Sequence, residues 1–229
     1  MSSDLTENNF ITEYDIFKEH KDSNESIDKL DSKMKGKLIK SIYMECISKN
    51  YNGIDSIISK KYTMEDIVRD REERMSRQEW LIRDYLSPLI SIRVNYPGLN
   101  KNNCVSFIIM KVFSALVIDK FKDKIMYKDL QATAEGPVLT LIINEDVYKI
   151  KKLAINVEDN HFLGRFVDID VFGNNGVELS RRELGLESRR CYICGQEAYN
   201  CAGSGRYDVD EIKEYIENKL EEYLKNKLS

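Results

Sequence analysis

From Tyr62 onward, the apolar positions of this 229-residue chain fall into helical and strand-like runs. Thr63, with Asp66 three residues later, has the pattern of a capping box. Met64, Ile67, Val68, Met75 and Ile82 then fall on one helical face. Pro88 ends that helix, and Leu89 to Val94 reads as a strand. A turn from Tyr96 to Asn103 follows, with Pro97-Gly98 inside it. Val105, Ile108, Ile109, Val112, Phe113 and Leu116 recur at helical spacing, which predicts a buried helix. Ala132 to Ile143, broken at Glu135-Gly136-Pro137, predicts two strands and a turn, and Asp146 to Leu153 a short helix. Phe162 to Phe172 reads as a strand, Gly173-Asn174-Asn175-Gly176 as a hairpin turn and Val177 to Ser180 as the returning strand. Asp208 is placed to cap a last helix, whose apolar stripe is Val209, Ile212, Ile216, Leu220 and Tyr223. The sum is an α+β domain with a mostly antiparallel sheet flanked by helices.

Composition divides the chain near residue 61. Residues 1–61 hold ten Lys and no Arg, Pro or Trp, and the first arginine is Arg69. This leading part reads as an N-terminal extension, mobile to about Ser26, with a helix through Leu38, Ile42 and Ile47. The transferable chemistry is expected in a second unit, residues 62–229. The net charge of -4 gives no reason to expect nucleic acid. No apolar run approaches the ~20 residues of a bilayer span, so no membrane is expected. The N-terminus lacks the basic and apolar regions of a secretory signal. Five cysteines in such a chain do not read as a disulfide framework, so the expected location is a reducing cytoplasm.

The chemistry concentrates after His161. In Val167-Asp168-Ile169-Asp170-Val171, alternation puts Asp168 and Asp170 on one strand face and the three aliphatic residues on the other. Two such carboxylates repel unless something positive lies between them. Magnesium is one candidate, since it takes one or two carboxylates and completes its shell with water and substrate phosphates. The alternative is a solvent-facing strand with both aspartates outward. Arg165 has core-face parity and reaches the site only from the strand's start, where Gly164 allows a bend.

From Ser180 to Arg190, Arg181, Arg182, Arg189 and Arg190 oppose Glu183 and Glu187. Guanidinium forks suit phosphate, so these four are candidate contacts to a polyanionic substrate; the other reading is a solvated basic loop. Lys101 follows the Pro97-Gly98 turn, just before a helix start where free backbone N–H groups favour an anion. Cys191, Cys194 and Cys201 are spaced C-x2-C-x6-C. The first pair suits zinc, but a tetrahedral site wants four ligands and Tyr207 occupies the region of the fourth. A redox pair or buried thiols are the alternatives. His161, one of two histidines, stands ahead of the carboxylate strand as a candidate proton carrier.

These pieces, in order, resemble the citrate lyase holo-acyl-carrier-protein synthases. The matching segments are Arg69-Asp70-Arg71-Glu72 through Gln78 with Trp80-Leu81, and Pro97-Gly98 with Lys101. Glu158 with His161, Leu163-Gly164-Arg165, Asp168-Ile169-Asp170-Val171 and Leu179-Ser180-Arg181-Arg182 follow. Arg189-Arg190-Cys191 with Cys194, Cys201 and Ala202 completes the set, which runs from Tyr62 to Leu220. The resemblance implies a nucleotidyltransferase that moves phosphoribosyl-dephospho-CoA from its triphosphoribosyl precursor to a serine of the apo acyl carrier protein subunit of citrate lyase, releasing pyrophosphate. It implies magnesium on Asp168 and Asp170, phosphates on Lys101, Arg165 and the four loop arginines, and a serine proton taken by His161 or a carboxylate. Tyr207 stands where members of that family often carry a histidine. The equivalent synthase of malonate decarboxylase, and a non-catalytic zinc-binding adaptor, are the alternatives.

Overall fold

A computed structural model describes residues 58–228 of the chain. The helix expected through Leu38, Ile42 and Ile47 lies outside the described residues, as does nearly all of the expected extension.

Helix α1 (Met64–Tyr85) starts with the predicted capping box: Thr63 accepts from the Asp66 backbone N–H while Asp66 accepts from that of Thr63. It ends at Leu86, whose backbone is left-handed, two residues before Pro88. Strand β1 (Leu89–Val94) has the predicted bounds. Next come α2 (Cys104–Phe121), β2 (Ile125–Thr133), β3 (Gly136–Ile143), α3 (Val147–Asn160), β4 (Val167–Phe172), the short α4 (Ala198–Gly203) and α5 (Val209–Leu228). The four strands form one sheet in the order β2-β3-β1-β4, with every pairing antiparallel. The expected α+β class with an antiparallel sheet is what the chain adopts.

One face of this sheet is the core. Ile90, Ile92 and Val94 of β1, Leu139, Leu141 and Ile143 of β3, and Val167, Ile169 and Val171 of β4 pack against α2, α3 and α5. Helix α2 is buried nearly all round, as its apolar sequence requires. The stripe on α5 sets Ile216, Leu220 and Tyr223 into the same core, while Val209 stays outside. The opposite face is only partly apolar. Leu81 and Ile82 of α1 cover Leu89 and Ile142, each such residue contributing about 1.5–3 kcal/mol by leaving water.

Several boundaries differ from the sequence expectation. Met64, Val68 and Met75, assigned to the inner face of α1, are exposed; the buried residues are Ile67, Gln78, Leu81 and Ile82. The helix turns a partly polar stripe inward, and an apolar count cannot find such a stripe. Strand β2 begins at Ile125, not Ala132, because it is an edge strand whose polar residues disguise it. Helix α3 continues to Asn160. The strand expected from Phe162 begins only at Val167, after a 3-10 turn, Gly164–Phe166. At Gly164 an added Cβ would lie 2.4 Å from the Val157 carbonyl oxygen, so the turn packs directly on the end of α3. The returning strand at Val177 to Ser180 reduces to one bridge, Phe172 to Glu178.

Candidate active site

Strand β4 alternates as predicted. Val167, Ile169 and Val171 enter the core, while Asp168 and Asp170 emerge half-buried on the other face. In register beside them on β1 stand Arg93, opposite Asp168, and Ser91, opposite Asp170. Arg93 Nη2 donates to Asp170 Oδ2 at 2.7 Å. Arg189 Nη1 pairs with Asp168 Oδ1, and its Nη2 donates to the Val167 carbonyl at 2.8 Å. The positive charge that the two carboxylates require is therefore supplied by two arginines. One of them, Arg93, was not singled out in the sequence. Burial opposes its charge, but Asp170, Asp168 and Glu135 outweigh that and hold its pKa above the ordinary value. Its Nε is buried without a hydrogen-bond partner.

A third carboxylate completes this face. Glu135, in the turn between β2 and β3, is buried. Its Oε2 accepts from Arg74 Nε at 2.7 Å and its Oε1 from Arg71 Nε at 3.4 Å; Arg93 Nη1 lies 3.9 Å away. Burial alone would raise the Glu135 pKa, yet Arg74, Arg93 and Arg71 together hold it below the usual carboxylate value. Asp70 fixes the same turn by accepting from the Ala134 N–H at 2.6 Å. Gln78 accepts from Arg74 through Oε1, while its buried Nε2 has no partner. The inward stripe of α1 thus changes from Leu81 and Ile82 at one end to Gln78 and Arg74 at the other, over the polar part of the sheet.

Lys101 joins this group. Its Nζ donates to the Tyr96 carbonyl, and its charge is felt by Glu135, Arg71, Arg93 and Asp168. Burial is the main reason its pKa falls below the usual lysine value; Glu135 opposes this and Arg71 and Arg93 add to it. The helix start beside it is capped from within, by Asn103 accepting from the Ser106 N–H. The face therefore gathers Arg71, Arg74, Arg93, Lys101 and Arg189 around Glu135, Asp168 and Asp170. Glu178, bridged to Phe172 at the end of β4, is close enough to be influenced by Asp170 and Asp168. Although the residue as a whole is exposed, desolvation of its carboxyl and then Asp170 push its pKa above the usual glutamate value.

Behind β4 a buried carboxylate holds the loop arginines. Glu158 of α3 accepts from the Ile169 N–H at 2.9 Å and from Arg181 at 2.6 Å, and lies 3.7 Å from Arg189. Asp159 takes Arg181 at 2.9 Å and Arg165 at 3.8 Å. Of the predicted phosphate contacts, the structure brings only Lys101 and Arg189 to the carboxylate face. Arg181 and Arg165 are engaged at the end of α3. Arg182 is exposed, and exposed Arg190 pairs with Glu187. His161 is not brought there either. Its ring packs against Phe113 and Tyr223, at centroid distances of 4.7 and 5.4 Å, and Nδ1 accepts from the Leu163 N–H. Both aromatic rings belong to the core on the opposite side of the sheet.

The three cysteines of the C-x2-C-x6-C run do converge, with their Sγ atoms within 4.8 Å of one another. Tyr207 hydrogen-bonds Cys194, and this bond leads in lowering that thiol's pKa to about 6. Burial pushes Cys201 up to about 11. Among the described residues no helix is long and apolar enough to cross a membrane.

This site lies within a stretch shared with known proteins. The family model described as apo-citrate lyase phosphoribosyl-dephospho-CoA transferase matches residues 62–223. A probable apo-citrate lyase phosphoribosyl-dephospho-CoA transferase of Vibrio cholerae (El Tor Inaba N16961) is 32% identical over 161 residues, covering 68% of this chain and 89% of its own. The transferase of that name in Citrobacter koseri is 34% identical over 151 residues, 64% of this chain and 82% of its own. Protein CitXG of Leuconostoc mesenteroides subsp. cremoris is 30% identical over 155 residues, and the chain spans 32% of that longer protein. With the ordered motifs, the match across the whole sheet and these relatives in agreement, the chain belongs to the apo-citrate lyase phosphoribosyl-dephospho-CoA transferase family.

Proposed function

We propose that this chain transfers the phosphoribosyl-dephospho-CoA unit from its triphosphoribosyl precursor to a serine of the apo acyl carrier protein subunit of citrate lyase. The observation that carries this reading is the polar sheet face, where five cations, Arg71 and Arg74 of α1 among them, surround Asp168, Asp170 and Glu135. Clustered guanidinium and ammonium groups half-sheltered from water suit a triphosphate better than a neutral ligand. Family membership favours citrate lyase over malonate decarboxylase as the acceptor system.

In this reaction the serine oxygen attacks the α-phosphorus, the bond from that phosphorus to the β-bridging oxygen breaks, and pyrophosphate leaves with the electron pair. Arg71, Arg74 and Lys101 neutralise the departing phosphates, and their fixed positions supply alignment. Arg93 and Arg189 hold the two aspartates in place. Glu178, whose pKa is raised beside Asp170, takes the serine proton. Asp168 and Asp170 also suit magnesium: each commits one oxygen to its arginine, leaving a hard oxygen donor on the same face. Magnesium held there would stabilise charge on the transferring phosphoryl group and the leaving pyrophosphate.

Mass spectrometry of the apo carrier subunit, incubated with this protein, magnesium and the precursor, tests the reading. A mass gain matching the prosthetic group, with one pyrophosphate per transfer, is expected. An unchanged carrier with folded protein present would overturn it.

A further inference from the structure

The cysteine segment plays no part in the transfer just described, yet its geometry is built. Cys191 and Cys194 flank a tight turn in which Gly195 N–H donates to the Cys191 carbonyl at 2.9 Å, and Gly195 has φ +73°, a left-handed conformation suited to glycine. That turn points both thiols to one side. Cys201 arrives from α4, which is tied back by Ala198 N–H donating to the Arg189 carbonyl at 3.0 Å. Cys194 and Cys201 sulfurs are 3.5 Å apart, and all three lie within 4.8 Å. Tetrahedral zinc, with Zn–S near 2.3 Å, holds its sulfurs about 3.8 Å apart. Capture of an ion therefore needs sulfur shifts of only about 1 Å or less.

The surroundings fit the charge of such a centre. Three thiolates around Zn²⁺ carry a net charge of -1. Arg206 Nη1 stands 3.9 Å from Cys194 Sγ. Such an outer donor is a usual partner of a metal thiolate. The segment also lacks a core of its own: from Cys191 to Ser204 the only buried side chain described is Cys201. A loop with so little apolar burial needs a staple to hold one shape.

We propose that Cys191, Cys194 and Cys201 bind a structural zinc ion, with solvent in the fourth position, and that this centre clips the loop that delivers Arg189 to Asp168. Arg189 lies two residues before the first ligand. Tyr192, between the first two ligands, packs at 5.3 Å on Phe166 beside β4 and at 5.6 Å on Tyr215 of α5. The Tyr215 hydroxyl donates to the Tyr192 carbonyl at 3.0 Å. The zinc turn is thus seated between the strand that carries the aspartates and the last helix.

Metal analysis of the reduced, full-length protein, produced with zinc supplied, is the test. About one zinc per chain is expected in the wild type, and Cys201→Ser and Cys194→Ser should lose it. Cys104→Ser, in α2, should keep it. Cobalt replacement should give thiolate-to-metal absorption in the near ultraviolet and tetrahedral visible bands. Tyr207→Phe should retain zinc; its loss would overturn the assignment of solvent to the fourth position. Wild-type protein in which Cys191, Cys194 and Cys201 all titrate as free thiols, with no zinc and no cobalt spectrum, overturns the site, as does isolation with a Cys194–Cys201 disulfide. Asp170→Asn should keep its zinc while losing transfer, so the metal centre and the proposed reaction are read independently.

Discussion

Arg93 lies opposite Asp168 in the sheet register but forms its 2.7 Å ion pair with Asp170, one pleat further along β4. The diagonal leaves Asp168 to Arg189, which enters from the loop after the sheet. Each aspartate thus has its own cation, from a different part of the chain. Arg93→Ala should leave Asp170 without its partner and lower transfer about 100-fold, the scale of losing one preorganised charge contact. Steady-state rates with circular dichroism of the variant check this; an active, folded variant would remove Arg93 from the site.

Asp170→Asn should reduce transfer about 1000-fold or more with little change in melting temperature, since the side chain is half-buried and isosteric. Asp168→Asn should follow it. If either folded variant works at near wild-type rate over a magnesium titration, the carboxylate pair has been given the wrong role.

The sequence pointed to Lys101, Arg165 and four loop arginines as phosphate contacts; the fold brings Lys101 and Arg189 of these to the carboxylate face and adds Arg71 and Arg74 of α1. Arg182→Ala and Arg190→Ala remove exposed side chains and should change transfer less than about threefold, the scale of solvated surface charges. Arg71→Ala and Arg74→Ala should each raise KM for the triphosphoribosyl precursor about tenfold or more. Initial-rate kinetics on the four variants decide between the two surfaces.

Glu135→Gln should destabilise the fold by about 3 kcal/mol, because Arg74 and Arg93 lose a buried counter-charge. The pKa of Glu135 is depressed in the fold. Its contribution is therefore fully present above the ordinary glutamate pKa and lost as pH falls through the lower folded value. Chemical unfolding at neutral and acidic pH should show the gap between wild type and variant closing in acid. A gap independent of pH would contradict the charge-based account.

Glu178 offers a pH signature. Its pKa is raised, and only the ionised form accepts a proton. The kcat/KM profile should therefore rise with pH through a value above the ordinary glutamate range. Glu178→Gln should lower the plateau and abolish that limb. A variant that keeps the limb would assign the titration to another group.

Much of the architecture was legible because it rests on local chemistry. The capping box at Thr63 and Asp66, the bounds of β1, the buried helix after Asn103 and the alternation around Asp168 and Asp170 are all properties of neighbouring residues. What stayed hidden depends on distant partners. Arg93 looks like one polar interruption in an apolar strand until β4 is set beside it. Glu135 reads as a turn residue until Arg71 and Arg74, over sixty positions earlier, close on it. Met64, Val68 and Met75 misled for the complementary reason: α1 covers a polar surface, so its inward stripe is not its most apolar one. The cysteines were legible as a spacing, but whether Cys201 reaches the first pair depends on how α4 folds back.

Helix α1 is held in two unlike ways along its length. Near its end, Leu81 and Ile82 sit in the dry contact with Leu89 and Ile142. Nearer its start, Arg71, Arg74 and Arg77 hold the sheet through Glu135 and Asp129. The more exposed Arg77 to Asp129 pair weakens as the Debye length shrinks to about 3 Å in molar salt, the buried Arg74 to Glu135 pair much less, while the dry contact tightens in salts excluded from protein surfaces. Ionic strength therefore works as a dial on the outer rim of a single helix: it loosens the grip of Arg77 on the edge strand while Arg74 and the dry end stay anchored like a pivot.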